Sequence, residues 1–510
     1  MGRIDRRGFV VSLVNAGAAV AVDPAMAQNA APQQPPRFGY AEVVARARGL
    51  ATAPMTPAKP LPEPLARLDP GVASDIKFRP EKDFLASTGT RFRLEPIHLD
   101  PKSARSVTVN LIRDGIATPI PYSANLFDFG RAKFERPLPL NLGFAGFHLK
   151  FPMNQPASAD DALVFTAASQ FEFLGRGQRM GAMLRALSVN AGEANEEFPF
   201  FREFWVQIPG PNAARATVFA LLDGESVTGA FSFQVAPGAD STLDVVATLF
   251  PRRIGGKFGL APIVSMYLRG AGGTAMDFPP AAHSSDGLAL RNGAGEWLWR
   301  PLRNPSEAER FEFLDRAPRG FGLAQRGRAF ARFQDLEQAF EARPSYWIEP
   351  VGDWGEGHVE LREQPAADIN ASNISAAWVA NAQLEPDKPL NYAYRVFASM
   401  APTPATPLGR VVDTFVSRPT DAGASGKRLR VDFSGGDLAY FLGDPSRVEV
   451  LATANNGRVV AATAAPNPHV KGFRATVDIE AAPGEAADVR VSLRAAGRTL
   501  TEVWTMPVEG

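Results

Sequence analysis

Gly229-Ala230-Phe231-Ser232-Phe233-Gln234-Val235 sets two phenylalanines and a valine two residues apart, with Ser232 and Gln234 between them. Side chains of an extended chain alternate between two faces, so the three apolar groups share one side and ask for another layer to cover them. Working outward, the segments 216–222 and 243–249 carry the same apolar density. Further strand signals recur at 91–94, 107–112, 144–151 and 164–173. Composition agrees: 45 glycines, 44 prolines and 35 phenylalanines suit short strands and many turns better than long helices. The expected fold class is all-β, built from large packed sheets. Only two helices are expected, one over 40–50 from Val43, Val44, Ala47 and Leu50, and a short one over 330–340 from Phe330, Phe333, Leu336 and Phe340.

The chain has 510 residues, room for two or three domains at roughly 150 residues each. Residues 1–27 read as an export signal: Arg6-Arg7, an apolar stretch from Phe9 to Val22, then Ala25-Met26-Ala27 with the small-x-small form of a cleavage site. Asp5-Arg6-Arg7-Gly8-Phe9-Val10 resembles the twin-arginine signal, which serves proteins exported already folded. A tether of Ala, Gln and Pro follows over 28–37. A large sandwich is expected over 38–400. Pro402, Pro404 and Pro407 mark a linker over 401–407, and the segment 408–510 has the size and strand rhythm of an immunoglobulin-like sandwich without its cysteine pair. No later stretch is long and apolar enough to span a bilayer, and with no cysteine the fold holds without disulfides.

Charge excludes some functions. Lys plus Arg and Asp plus Glu are 54 each, so no net field gathers nucleic acid or anionic lipid. The five histidines, at 98, 148, 283, 358 and 469, show no helical i, i+4 pair, so no metal site is expected. Gly255-Gly256-Lys257 is followed by Phe258 rather than the Ser or Thr of a phosphate loop, and no cofactor is expected.

Five of the seven tryptophans, Trp297, Trp299, Trp347, Trp354 and Trp378, fall between 283 and 378 among Asp286, Glu296, Arg300, Arg326, Arg328, Asp335, Asp353 and Glu356. Indole faces stack on the C–H faces of pyranose rings while charged groups pair with hydroxyls, so the mixture suits carbohydrate. From composition alone the reading of these tryptophans as core, with the charges a solvated rim, stands ahead, since Trp is highly buried on average.

The runs His283-Ser284-Ser285-Asp286-Gly287-Leu288, Gly295-Glu296-Trp297-Leu298-Trp299-Arg300-Pro301-Leu302, Arg319-Gly320-Phe321-Gly322-Leu323-Ala324-Gln325-Arg326 and Arg343-Pro344-Ser345-Tyr346-Trp347-Ile348-Glu349-Pro350 resemble the periplasmic glucan biosynthesis family, its G and D proteins. Gly352-Asp353-Trp354-Gly355, Gly143-Phe144-Ala145-Gly146-Phe147 and Glu196-Glu197-Phe198-Pro199 extend the likeness over nearly the whole chain. The resemblance implies a large galactose-mutarotase-like β-sandwich followed by a C-terminal immunoglobulin-like one. It also implies a periplasmic role in making β-1,2-linked glucans, some members being inverting β-1,2-glucanases or related transglycosylases. The partners it implies are β-glucan and, further, the membrane glucan synthase. Trp297, Trp299, Arg300, Arg326, Trp347 and Trp354 are the expected substrate-binding residues.

The departures are as informative. The family's H-D-S-D-G run has Ser284 in place of its first aspartate, leaving Asp286, and its D-N-I-x-x-x-W run has Ser372 where the general acid stands. Met180 stands where members commonly carry Tyr, and Arg269-Gly270-Ala271-Gly272-Gly273 replaces a more aromatic stretch. A hydroxyl does not supply a proton near neutral pH as a tuned carboxylic acid does. Two functions are open: a glucan-binding protein that has lost the usual acid, or a hydrolase or transglycosylase with a relocated carboxylate, for which Asp286, Asp353 and Asp368 are the candidates.

Overall fold

Phe231, Phe233 and Val235 are fully buried, while Ser232 and Gln234 between them are partly exposed. Their strand, Val227–Ala236, pairs antiparallel with Ala216–Asp223 on one side and Ser241–Pro251 on the other. These belong to the computed structural model, which describes residues 37–57, 60–103, 105–166, 169–270, 278–386, 388–401, 406–419 and 426–509. The export signal expected over 1–27, nearly all of the tether over 28–37 and four residues of the linker over 401–407 lie outside them.

Two large sheets face each other. One has ten strands, running from Arg93–Ile97 through Gly146–Phe151, Asp160–Thr166, Gln170–Phe173, Met183–Arg185, Phe258–Ser265, Ile374–Ala380 and Glu356–Glu363 to Glu309–Arg316, with Leu187–Val189 paired alongside Phe258–Ser265. The other has fifteen strands and includes the Phe231 hairpins. Phenylalanines interlock between them: Phe165 lies 5.0 Å from Phe233 and 4.8 Å from Phe204 by ring centroids. Such offset and edge contacts add to the area buried by each ring. The expected strand over 164–173 is instead two, Asp160–Thr166 and Gln170–Phe173, paired antiparallel.

The first helix forms as expected, over Tyr40–Ala51, and covers the outer face of the fifteen-stranded sheet with Val43 and Ala47 packed among Trp205, Phe219, Leu221 and Phe250. The second does not. Only the turn Phe330–Phe333 and the 3₁₀ turn Phe340–Ala342 are helical, because Gln334 and Ala339 take left-handed backbone (φ 59° and 43°). Phe333 and Phe340 are buried, but Phe330 and Leu336 face solvent.

The C-terminal region is a second sandwich. Arg410–Ser417, Lys427–Ser434, Gly472–Ala481 and Gly457–Asn467 form a four-stranded sheet. Opposite it lie Glu449–Asn455, Ala486–Ala495 and Val503–Glu509, which end the fifteen-stranded sheet. The junction is the parallel pairing of Trp297–Pro301 with Val503–Glu509, which sets Leu298 opposite Val503 and Trp299 opposite Trp504. Phe38 to the C-terminus therefore forms one contiguous unit of contacts.

Candidate functional site

The five tryptophans are mostly buried. In the strand Trp297–Pro301, alternation sends Trp297 and Trp299 into the core shared with the C-terminal sandwich, beside Trp347, Val431, Phe473 and Trp504. Trp297 stacks on Trp347 at 5.7 Å, and the Arg326 guanidinium sits 3.6 Å above the Trp299 ring. Arg326 also donates from Nη2 to Glu502 (3.0 Å) and from Nη1 to the Val411 carbonyl (3.1 Å), tying the two regions together. Arg300 is 1% exposed and pairs with the fully buried Glu363 at 3.1 Å. Trp354 belongs to the main core, edge-on to Tyr392 and Tyr394, with its Nε1 donating to the Ala393 carbonyl. Burial leaves these rings little open face for a sugar to stack on, and of the six residues Trp297 and Arg300 each border a cavity, of about 400 Å³ and 450 Å³.

The three carboxylates proposed as replacement acids each accept from backbone N–H groups. Asp286 accepts from the backbone N–H of Arg326 (3.0 Å) and Gly327 (2.9 Å). Asp353 and Asp368 are exposed and accept from the N–H groups of Gly355 and Asn370, two residues on. These are Asx turns, which shape loops.

Ser284 and Ser372, the two serines expected to depart from the family pattern, are brought near one another by a single stretch of chain. Ser284 donates its backbone N–H to the Met266 carbonyl (2.8 Å), and Asn373, next to Ser372, clasps the backbone of Tyr267 with two 2.9 Å bonds. The Tyr267 ring stacks on His283 at 5.5 Å, and its hydroxyl is pushed up to about 12, mainly by burial and then by the Asp286 charge. Burial also holds His283 below its ordinary pKa. Ser284 is fully buried, and its Oγ lies 2.7 Å from Arg343 Nη1.

Ser372 is exposed and lines a cavity of about 210 Å³ with Arg185, Arg362, Glu196 and Phe198. Strand alternation places Arg185 and Arg362 on the side of the ten-stranded sheet away from the core, since Leu184 and Leu361 point inward. Phe198 is 56% exposed, with the Arg185 guanidinium 5.4 Å from its ring centre, and it borders a second cavity of about 620 Å³ lined by Arg105, Glu197, Arg253 and Ile254. On the same outward side, further along the sheet, Asp161 and Arg343 line a third, of about 730 Å³. Glu172 sits between, on the strand whose Phe171 and Phe173 fill the core. Phe198 stands in one of the motifs that carry the family likeness, but its exposure follows from packing, which no spacing shows.

One group of metal-ligating type is present among the described residues. Ligand atoms of Glu312, His358 and Glu360 lie within 4.8 Å of one another on the adjacent strands Glu309–Arg316 and Glu356–Glu363. The helical-spacing test passed over it because the residues oppose one another across a strand pair. Lys257 and Arg362 already bond Glu360, and Arg310 lies 3.5 Å from Glu312, so three cations oppose a fourth. Its chemistry is that of an ion-pair network.

An all-β double sandwich defines a fold class rather than one chemistry. Comparison with known proteins supplies the particular family. Residues 38–508 match the family model described as "Periplasmic glucan biosynthesis protein, MdoG", and the chain belongs to that family. It is 38% identical over 486 residues to "Glucans biosynthesis protein G" of Rhodopseudomonas palustris, covering 94% of this chain and 95% of the relative. It is 36% identical to the protein of the same name in Ralstonia nicotianae, over 92% of this chain and 95% of that one. "Glucans biosynthesis protein D" of Stenotrophomonas maltophilia is likewise 36% identical, over 92% and 90%. The chain is a protein of periplasmic glucan biosynthesis. No helix among the described residues is long and apolar enough to cross a membrane.

Proposed function

We propose that the protein acts in the periplasm after export and binds β-1,2-glucan along the outward face of the ten-stranded sheet, on chains that a membrane glucan synthase supplies. The observation that carries this is Phe198: an exposed ring, backed by the Arg185 cation and shared by the Ser372 cavity and its larger neighbour. A pyranose stacks on such a ring while Arg105, Arg253, Arg362 and Glu196 address its hydroxyls. The Arg326 and Trp297–Trp299 cluster then has a different task, fastening the second sandwich to the first.

The test is titration of the purified protein with linear β-1,2-glucan, with reducing ends and product sizes followed in parallel. Phe198→Ala should weaken binding about tenfold, the effect of a stacking contact of roughly 1–1.5 kcal/mol, with the melting temperature unchanged. Full affinity in that variant would move the binding face elsewhere.

A further inference from the structure

The strand Trp297–Pro301 pairs with Val503–Glu509 at two positions, Leu298 with Val503 and Trp299 with Trp504. Beyond that pairing, Arg300 on one strand and Thr505 and Pro507 on the other border the cavity of about 450 Å³. Glu296, in the hairpin that leads into Trp297–Pro301, accepts from Arg490 Nη2 at 2.8 Å. Both residues also border the cavity of about 400 Å³, so the two openings meet at this ion pair.

The floor of both openings is the outer face of the second sandwich. Leu451, Thr453 and Asn455 lie opposite Ser492, Arg490 and Asp488 across an antiparallel pair, and Thr505 lies opposite Arg490 on the other side. Val489 and Val491, between them, fill the core, so by strand alternation the floor residues face away from it. Each of them borders one or both cavities.

This groove continues from the sheet face assigned to glucan. Arg310 and Glu312, on the edge strand Glu309–Arg316 of the ten-stranded sheet, border the 450 Å³ cavity. They lie in register with Arg362 and Glu360 on the next strand, about 4.8 Å away, and Arg362 borders the Ser372 cavity.

The lining selects the occupant. The 450 Å³ cavity carries four arginines and four carboxylates, a balance that gathers neither anions nor cations. Closely spaced donors and acceptors suit a chain of hydroxyls, each of which both donates and accepts. Thr453 and Asn455 add uncharged partners, and Leu451, 47% exposed, offers an apolar surface to the C–H faces of a sugar.

We propose that the seam between the two sandwiches is a second glucan-binding site, occupied by the far part of a chain whose near part lies on the outward face of the ten-stranded sheet. It deepens that assignment and rests on it. The second sandwich then senses chain length. A short oligosaccharide fills the openings around Phe198 alone, and only a long chain passes over the edge strand to Arg490 and Asp488. Two sites on one chain act at high effective concentration, so affinity rises with length.

The experiment titrates the purified full-length protein with short β-1,2-linked glucose oligosaccharides and, separately, with long linear β-1,2-glucan. The variants are Arg490→Ala, which gives up a surface ion pair, and Asp488→Ala at an exposed position, with melting curves as the control for folding. Each variant should weaken binding of the long glucan about tenfold and leave the short oligosaccharides within about twofold. Hydrogen exchange on the unmodified protein is a second readout that needs no variant. Glu449–Asn455 is the edge strand of the fifteen-stranded sheet, and its amides should slow with the long glucan but not with the short one. Equal effects of the two lengths in both readouts, or no effect of either, overturn the seam site, and weakened binding in Phe198→Ala then leaves the sheet face standing. Failure of the unmodified protein to bind glucan of either length overturns both.

Discussion

At the residue scale the decisive contact is Arg343 with Ser284, where a guanidinium meets a hydroxyl rather than a carboxylate. The hydroxyl accepts from a guanidinium that burial has already weakened as a cation. Ser284→Asp would place a carboxylate against the Arg343 guanidinium. Stability offers a readout free of catalysis. Burial pushes the Glu172 carboxyl up to about 7 from an ordinary value of 4.5, so it holds its proton more tightly when folded. Its contribution is therefore present below pH 4.5 and lost as pH rises toward 7. Glu172→Gln carries no such charge, so it should gain on the unmodified protein in urea unfolding as pH climbs through that window. Buried His98 and His283 have the opposite sign: their pKa values are lowered by burial, so stability drops as pH falls below about 6.5.

At the scale of elements, two glycines explain how the tryptophans lie flat on their sheet. A Cβ on Gly287 would fall 2.1 Å from the Trp299 ring, and one on Gly320 would fall 2.3 Å from Trp347. Strand pairing sets Gly287 opposite Pro301 and Ala324, so each indole folds across a strand neighbour that has no side chain. Gly287→Ala should cost about 1–3 kcal/mol or more, the range for forced overpacking, and perturb the near-ultraviolet circular dichroism of the tryptophans. These arrangements mark the limit of what the sequence made legible. Period-two patterning placed Phe231, Phe233 and Val235 in the core, and turn chemistry separated most strands, because both are local properties. The second helix failed where left-handed Gln334 and Ala339 overrode a helical spacing. The tryptophan face failed for another reason. Core and sugar platform use the same residue type, and only the distant strand Val503–Glu509 decides between them.

At the scale of the whole molecule, the two sandwiches are joined by more than a linker. The fifteen-stranded sheet runs from one into the other, and a shared core of Trp297, Trp299, Trp347, Val411, Leu429 and Trp504 fills the corner. Glu502, 2% exposed, takes the Arg326 guanidinium and the Val411 N–H. Removing one partner of such a buried pair leaves a charge without compensation, at a cost of about 3–5 kcal/mol. Trp299→Ala should cost a comparable 3–5 kcal/mol through the cavity it leaves, and should not change glucan affinity. The expected proline linker over 401–407 then makes a specific forecast under limited proteolysis. A cut there should release no free fragment: the piece of roughly one hundred residues should co-elute with the larger one in gel filtration, because the pairing of Leu298 with Val503 and the Arg326–Glu502 bond lie outside the cut. Glu502→Gln should let the nicked pieces part at lower urea than the unmodified pair. Immediate separation of the unmodified nicked protein would show instead that the C-terminal sandwich stands alone, and that the buried tryptophans tolerate exposure.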